Sequence, residues 1–163
     1  MLNGPLKNKN ALVTGGGGPA MGSSHCEKLS RLGAHVIVFD KREEKAEIVS
    51  KKIIQNGGSS EFIVCDITNI EAVNDALERL KQRNPIDILV NHAGISGMSL
   101  PFEKITEDIF DNMLSVNLKS MFFITQKLIE NMKKNNWGRI INMTSVSVKE
   151  PLSYLALSNS MRS

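Results

Sequence analysis

The residues best suited to chemistry open near the N-terminus, in the tract Thr14-Gly15-Gly16-Gly17-Gly18-Pro19-Ala20-Met21-Gly22. It lies between an apolar run, Ala11-Leu12-Val13, and a stretch with helical periodicity. Glycines in that position let the backbone approach a phosphate, and the helix N-terminus that follows favours its negative charge. A triphosphate-gripping P-loop is excluded, because Gly22 is followed by Ser23 and Ser24 rather than by Lys and then Ser or Thr. Asp40 closes a second apolar run, Val36 to Phe39, where a carboxylate accepts hydrogen bonds from the hydroxyls of an adenosine ribose. That favours NAD, while the adjacent Lys41 and Arg42 attract a 2′-phosphate and keep NADP open. The plain alternatives are a flexible turn for the first feature and a charged strand end for the second.

Further candidates lie downstream: Asp66 in Cys65-Asp66-Ile67, the segment Asn91-His92-Ala93-Gly94 after a fourth apolar run, and Ser145 after Ile141-Asn142-Met143-Thr144. Asn117 interrupts a helical pattern at Val116-Asn117-Leu118, where a poor helix former calls for a reason. Taken singly, Ser145 also reads as a strand-end serine bonded to backbone, and Asn117 as a helix residue facing solvent. His25, His35 and His92 lack the spacing of metal ligands, so no metal is expected.

Composition narrows the class. The chain has 163 residues, 41% hydrophobic and 23% charged, with a formal charge of +3, values ordinary for a globular protein. The charges of both signs are mixed, as in Asp40 to Lys45, and this argues against a nucleic-acid partner. No apolar run approaches the roughly 20 residues of a membrane span. Met1 to Asn10 is polar, without the apolar core of a secretory signal, and the two cysteines, Cys26 and Cys65, are far apart; a reduced, cytoplasmic setting is expected.

The elements that must position these residues alternate. Strands are expected at Ala11 to Val13, Val36 to Phe39, Phe62 to Val64, Ile86 to Val90 and Arg139 to Met143. Helices are expected from Gly22 to Leu32, ended by Gly33, from about Lys45 to Gln55, and after a capping box at Thr68-Asn69-Ile70-Glu71. A long apolar-periodic region runs from about Glu107 to Met132. Such alternation predicts an α/β fold, a doubly wound parallel sheet of the Rossmann type with strand order 3-2-1-4-5 and a cofactor crevice between the first and fourth strands. One domain over 1–163 is expected.

In order and spacing the set formed by the glycine loop, Asp66, Asn91 to Gly94, Asn117 and Ser145 closely resembles the short-chain dehydrogenase/reductase family, nearest to members like the bacterial 3-oxoacyl-carrier-protein reductases. The resemblance covers essentially the whole chain. It implies an NAD(P)-dependent oxidoreductase acting on a small carbonyl or alcohol substrate. Thr14, Gly15, Gly17 and Gly22 would serve the pyrophosphate, Asp40 the ribose, Asp66 and Ile67 the adenine, and Asn91, Ala93 and Gly94 the sheet and cofactor. Asn117 would hold a water of the proton relay and Ser145 would polarise the carbonyl. In the family a Tyr donates the proton and a Lys in Tyr-x-x-x-Lys lowers its pKa.

The chain departs from that pattern. Tyr154 as the catalytic acid puts Ser158 where the Lys belongs, whereas the register Leu157 to Met161 replaces both residues. The second register fits the distance from Ser145 better and makes Tyr154 a half-buried anchor. Pro19 reads as an insertion in the glycine loop, and Ala20 replaces a glycine. The family's last strands are absent, so the domain is expected to be incomplete at its C-terminus. Beside the oxidoreductase stand two alternatives: a catalytically inactive nucleotide-binding fragment, and an interaction module pairing through 107–132. A homo-oligomer is expected, since apolar stripes on such helices can bury each other.

Overall fold

The computed structural model describes residues 3–97 and 99–162. Five parallel strands, β1 (Asn10–Thr14), β2 (His35–Asp40), β3 (Ser59–Val64), β4 (Ile88–Asn91) and β5 (Arg139–Asn142), form one sheet in the order β3-β2-β1-β4-β5. This is the expected order. The central strands are apolar throughout because both their faces are covered. Alternate residues then feed opposite cores. Leu12, Ile37, Phe39 and Leu89 pack on one side, and Ala11, Val13, Val36, Val38, Ile88 and Val90 on the other.

Helices supply the two covers. On the first side lie α3 (Ile70–Arg83), through Val73, Ala76, Leu77 and Leu80, and α5 (Ser120–Lys134), through Ile124, Leu128 and Met132. On the second lie α1 (Met21–Arg31), through Cys26, and α2 (Glu43–Gln55), through Ala46, Val49 and Ile53. Each large apolar side chain so enclosed contributes roughly 1.5–3 kcal/mol. α1 ends as expected at Gly33, whose φ of 98° suits glycine. Its N–H donates to the Ser30 carbonyl at 2.8 Å while that of Ala34 donates to Leu29 at 3.2 Å, a Schellman closure that satisfies the helix's last carbonyls.

Three expectations are corrected. The capping box does not form at Thr68: Asn69 caps α3, its Oδ1 accepting from the Ala72 N–H at 3.0 Å, because Thr68 is bonded to Asp66. β4 begins at Ile88 rather than Ile86, with Asp87 bonded to Lys9 and to the Asn10 N–H at the strand's foot. The region 107–132 is not one continuous α-helix. It divides into α4 (Glu107–Leu114) and α5, joined by a wide π-helical turn, Ser115–Lys119. A short last helix, α6 (Ala156–Met161), follows β5.

Candidate functional site

A cavity of about 320 Å³ opens at the carboxyl ends of the strands, where the chain order reverses between β1 and β4. Thr14 fixes its width. The Thr14 Oγ1 accepts from the backbone N–H groups of His92 and Ala93, both at 3.1 Å, and donates to the Val90 carbonyl at 3.4 Å. The glycine loop is thereby tied to the end of β4. Gly15 (φ 65°) and Gly18 line the cavity, and a Cβ at Gly22 would collide with the Gly15 carbonyl oxygen, so α1 starts hard against the end of β1. Ala20, the N-cap of α1, holds φ 68° and ψ −98°, which costs on the order of 1–3 kcal/mol for a residue with a Cβ.

Asp40 forms one end of the cavity and is only 4% exposed. Its carboxylate is already fully engaged. Oδ1 accepts from the Arg42 N–H and Nε at 3.1 and 3.0 Å, and Oδ2 from Arg42 Nη2 and the Gly17 N–H, both at 3.1 Å. Burial pushes the carboxyl upward, but the Arg42 hydrogen bonds and charge, with the Gly17 N–H, outweigh it and hold the pKa below the usual Asp value. Arg42 was expected only as an attractor of a 2′-phosphate; here it is the partner of Asp40.

Asp66 and Ile67 follow on the same wall. Asp66 Oδ1 accepts from the Thr68 N–H and hydroxyl at 3.0 and 2.8 Å, and Oδ2 lies 3.8 Å from Lys41 Nζ. The backbone bond from Thr68 is the main reason its pKa falls, against some burial and with help from the Thr68 hydroxyl and Lys41.

Opposite lie His92, Ala93, Gly94 and Ile95. Asn91 points to the other side, its amide donating to Asn142 Oδ1 at 2.8 Å and Thr125 Oγ1 at 3.1 Å, so it joins β4, β5 and α5. His92 stands edge-on to His25, ring centroids 5.4 Å apart. His92 Nδ1 and His25 Nε2 are both buried and find no hydrogen-bond partner among the described residues. Burial, and then the charges of His25 and Arg162, push the His92 pKa down. His92 was legible as part of the segment after β4, whereas its pairing with His25, distant in sequence, was not.

Asn117 is 6% exposed, not solvent-facing. The π-helical turn carries it inward, where its Oδ1 accepts from the Ile95 N–H and its Nδ2 donates to the Ile95 carbonyl, both at 2.8 Å. It behaves as an added strand residue for the segment leaving β4. A Cβ on Gly94 would lie 3.3 Å from Asn117 Oδ1 and 4.0 Å from the guanidinium carbon of Arg162. Gly94 thus sits between the two.

Ser145 begins a short helical turn, Val146–Val148, and its Oγ accepts from the Ser147 N–H at 3.3 Å and shares a hydrogen bond of 2.8 Å with the Ser147 hydroxyl. Its N–H donates to the Arg162 carbonyl at 3.3 Å. Tyr154 is corrected from half-buried to 63% exposed, with φ 60°. Among the described residues only its backbone is engaged in a hydrogen bond, the carbonyl accepting from the Leu100 N–H at 3.0 Å. Neither register weighed for the Tyr-x-x-x-Lys motif brought out Arg162. Its signal was present, since Arg162 follows Ser158 with that motif's own spacing.

The comparisons agree with this geometry. Residues 9–157 match the family model described as short chain dehydrogenase. The 3-oxoacyl-(acyl-carrier-protein) reductase of Rickettsia bellii is 34% identical over 141 residues, 86% of this chain and 55% of the relative. Cyclopentanol dehydrogenase of Comamonas testosteroni is 34% identical over 144 residues, 88% and 57% of the two chains. Among solved structures, an NAD+-bound xylitol dehydrogenase superposes with a TM-score of 0.91 at 26% identity, covering 97% of this chain and 61% of that one. A metagenomic short-chain oxidoreductase in complex with NADP gives 0.90 at 28%, covering 96% and 71%. The chain spans about half the length of the curated relatives it matches.

Proposed function

The chain belongs to the short chain dehydrogenase family, and from that premise we propose that it binds a nicotinamide dinucleotide in the β1–β4 cavity and serves an oxidoreductase acting on a small carbonyl or alcohol. The observation that carries this reading is the buried Asp40 carboxylate at one end of a cavity whose other wall, Gly94 and Ile95, is fixed by Asn117. When bound, the nicotinamide exchanges a hydride with the substrate carbon. The residues of the chain hold and orient.

Asp40 takes the adenosine ribose hydroxyls once Arg42 yields part of its hold, Asp66 and Ile67 flank the adenine, and Gly15, Gly17 and Gly22 allow the pyrophosphate close to the backbone. NAD is preferred, because a 2′-phosphate would meet the Asp40 charge while Arg42 is neutralised by it. Asn117 is a positioning residue, since its amide is spent on Ile95. Ser147 can donate to Ser145 Oγ, which leaves the Ser145 O–H free to polarise a substrate oxygen. Tyr154 is not oriented for proton donation in this reading. The thiols suit a reducing, cytoplasmic setting: Cys26 and Cys65 are free, and burial pushes their pKa values up to about 12 and about 11. Among the described residues no helix is long and apolar enough to cross a membrane. Self-association is part of the proposal, through the open edge of β5 and the exposed Ile141 and Val146 beside it.

Fluorescence titration with NADH and NADPH tests it. Saturable binding of NADH that weakens about tenfold in Asp40→Ala is expected; no binding of either cofactor would overturn the reading.

A further inference from the structure

An imidazole stands against the glycine loop. His92 lines the cavity together with Gly15 and Gly18, and its ring presses on the start of α1: a Cβ on Gly22 would lie 3.2 Å from His92 Cε1 and 3.3 Å from Nδ1. A Cβ on Gly18 would lie 3.8 Å from that same Cε1 and 3.8 Å from Arg42 Nη2, so Gly18 separates an imidazole from a guanidinium. Behind His92 stands the edge-on ring of His25, and each ring buries one nitrogen that finds no partner among the described residues. Buried polar atoms in that state call for a reason, and a bare imidazole nitrogen is where a proton can go.

The charges around the pair decide when. His25 faces His92 from α1, Arg42 from beyond β2 with its charge met by Asp40, and Arg162 from beyond α6. Burial, with His25 and Arg162, holds the ring below the ordinary His pKa, so in the empty cavity it is mostly neutral at pH 7. A dinucleotide reverses the local field. Its pyrophosphate carries two negative charges, the loop from Thr14 to Gly22 contains no basic residue, and the N-terminus of α1 offers only about half a positive charge. We infer that His92, backed by His25, takes up a proton when the dinucleotide pyrophosphate settles over Gly18, so that cofactor binding tightens as pH falls. The inference rests on the proposed cofactor binding. Two rings this close do not both charge, so the pair accepts one proton. Affinity is then highest below the free-state pKa, declines as pH rises, and levels off above the bound-state value.

Histidine NMR and calorimetry with ADP-ribose, NAD+ and adenosine test it between about pH 5.5 and 8.5, where histidine titrates and an esterified pyrophosphate does not. The chain has three histidines, so His25→Gln, His35→Gln and His92→Gln assign the resonances, and two of the variants suffice if the third does not fold. The His92 ring should titrate about one pH unit or more higher with ADP-ribose bound than free. Affinity for ADP-ribose and NAD+ should rise about five- to tenfold from the top of that range to the bottom, while adenosine stays level. His92→Gln should flatten the profile, and His35→Gln should keep it, because that ring is bonded to Ser59 and Glu61 at the opposite end of β2. An equal pH dependence for adenosine would overturn the inference, as would a profile kept in His92→Gln and lost in His25→Gln, which would put the proton on the other ring. Cofactor reading and inference fail separately: ADP-ribose bound with no change in the His92 titration overturns only the second, whereas no binding of NAD+ or ADP-ribose at any pH overturns both.

Discussion

Arg42 grips Asp40 with both arms of its guanidinium, Nε to Oδ1 at 3.0 Å and Nη2 to Oδ2 at 3.1 Å, only two residues apart in the chain. The pair masks the residue expected to read the adenosine ribose. It also opposes the two cofactors differently, since a ribose hydroxyl needs one lone pair of Asp40 and a 2′-phosphate needs Arg42 itself.

Removing the guanidinium should therefore separate NAD from NADP. In Arg42→Ala the NADP(H) affinity is expected to fall about tenfold or more, while NAD(H) binds as well as before or better because Asp40 is unmasked. Parallel titrations measure this. Equal losses for both cofactors would show that Arg42 shapes the loop rather than the preference.

Acid should weaken the fold through the same carboxylate. The folded-state pKa of Asp40 is depressed, so its stabilisation is complete above the ordinary Asp value near 4 and is lost as pH falls through the lower folded value. Asp40→Asn is expected to destabilise the chain by about 1–3 kcal/mol at pH 7, with the gap to the parent closing below pH ~4. Urea unfolding at both pH values checks it. A gap that persists unchanged in acid would assign the loss to packing.

Turnover should be slow, and indifferent to the only tyrosine in the sequence. Tyr154 is exposed, and a missing general acid typically costs about 10²–10⁴-fold. NAD(P)H oxidation by the purified chain, assayed with ketones and 3-oxoacyl thioesters, is expected to stay far below family-like rates and to be the same in Tyr154→Phe. Activity abolished in both Tyr154→Phe and Ser145→Ala would instead make Tyr154 the proton donor.

The outer edge of β5 should promote association. Among the described residues β5 pairs only with β4, and Ile141 and Val146 are 45% and 73% exposed. An open strand edge of this kind templates further pairing. Light scattering is expected to report species larger than a monomer, decreasing in Ile141→Lys; a clean monomer at high concentration would contradict it.

The sheet was legible because its signals are local. Runs such as Val36 to Phe39 need only their own residues to announce a strand buried on both faces, and Gly33 announces the helix end before it. Asp40 and Gly94 were legible by position at strand ends. What was not legible depends on partners distant in sequence or on subtle backbone change. The engagement of Asp40 by Gly17 needs the loop folded over β2, the inward turn of Asn117 needs one extra residue accommodated mid-helix, and the approach of Arg162 to Gly94 needs β5 and α6 in place. Thr68 misled for a simpler reason: two neighbouring residues could cap α3, and Asp66 had the first claim on the threonine.

The wide turn at Ser115–Lys119 has a consequence for how such a site is gained or lost. A π-helical turn holds one residue more than α-helical winding would, so the surplus is absorbed locally and the helices on either side keep their facing. Deleting a single codon there would let the backbone relax into regular winding, with Met113 still turned inward and Ile124, Leu128 and Met132 still against the sheet. The amide of Asn117 would leave Ile95, and the wall beside Gly94 would lose its brace. Scaffold and site are thus separately heritable here: one small deletion can silence the cavity in a chain that folds as before, and one insertion can restore it.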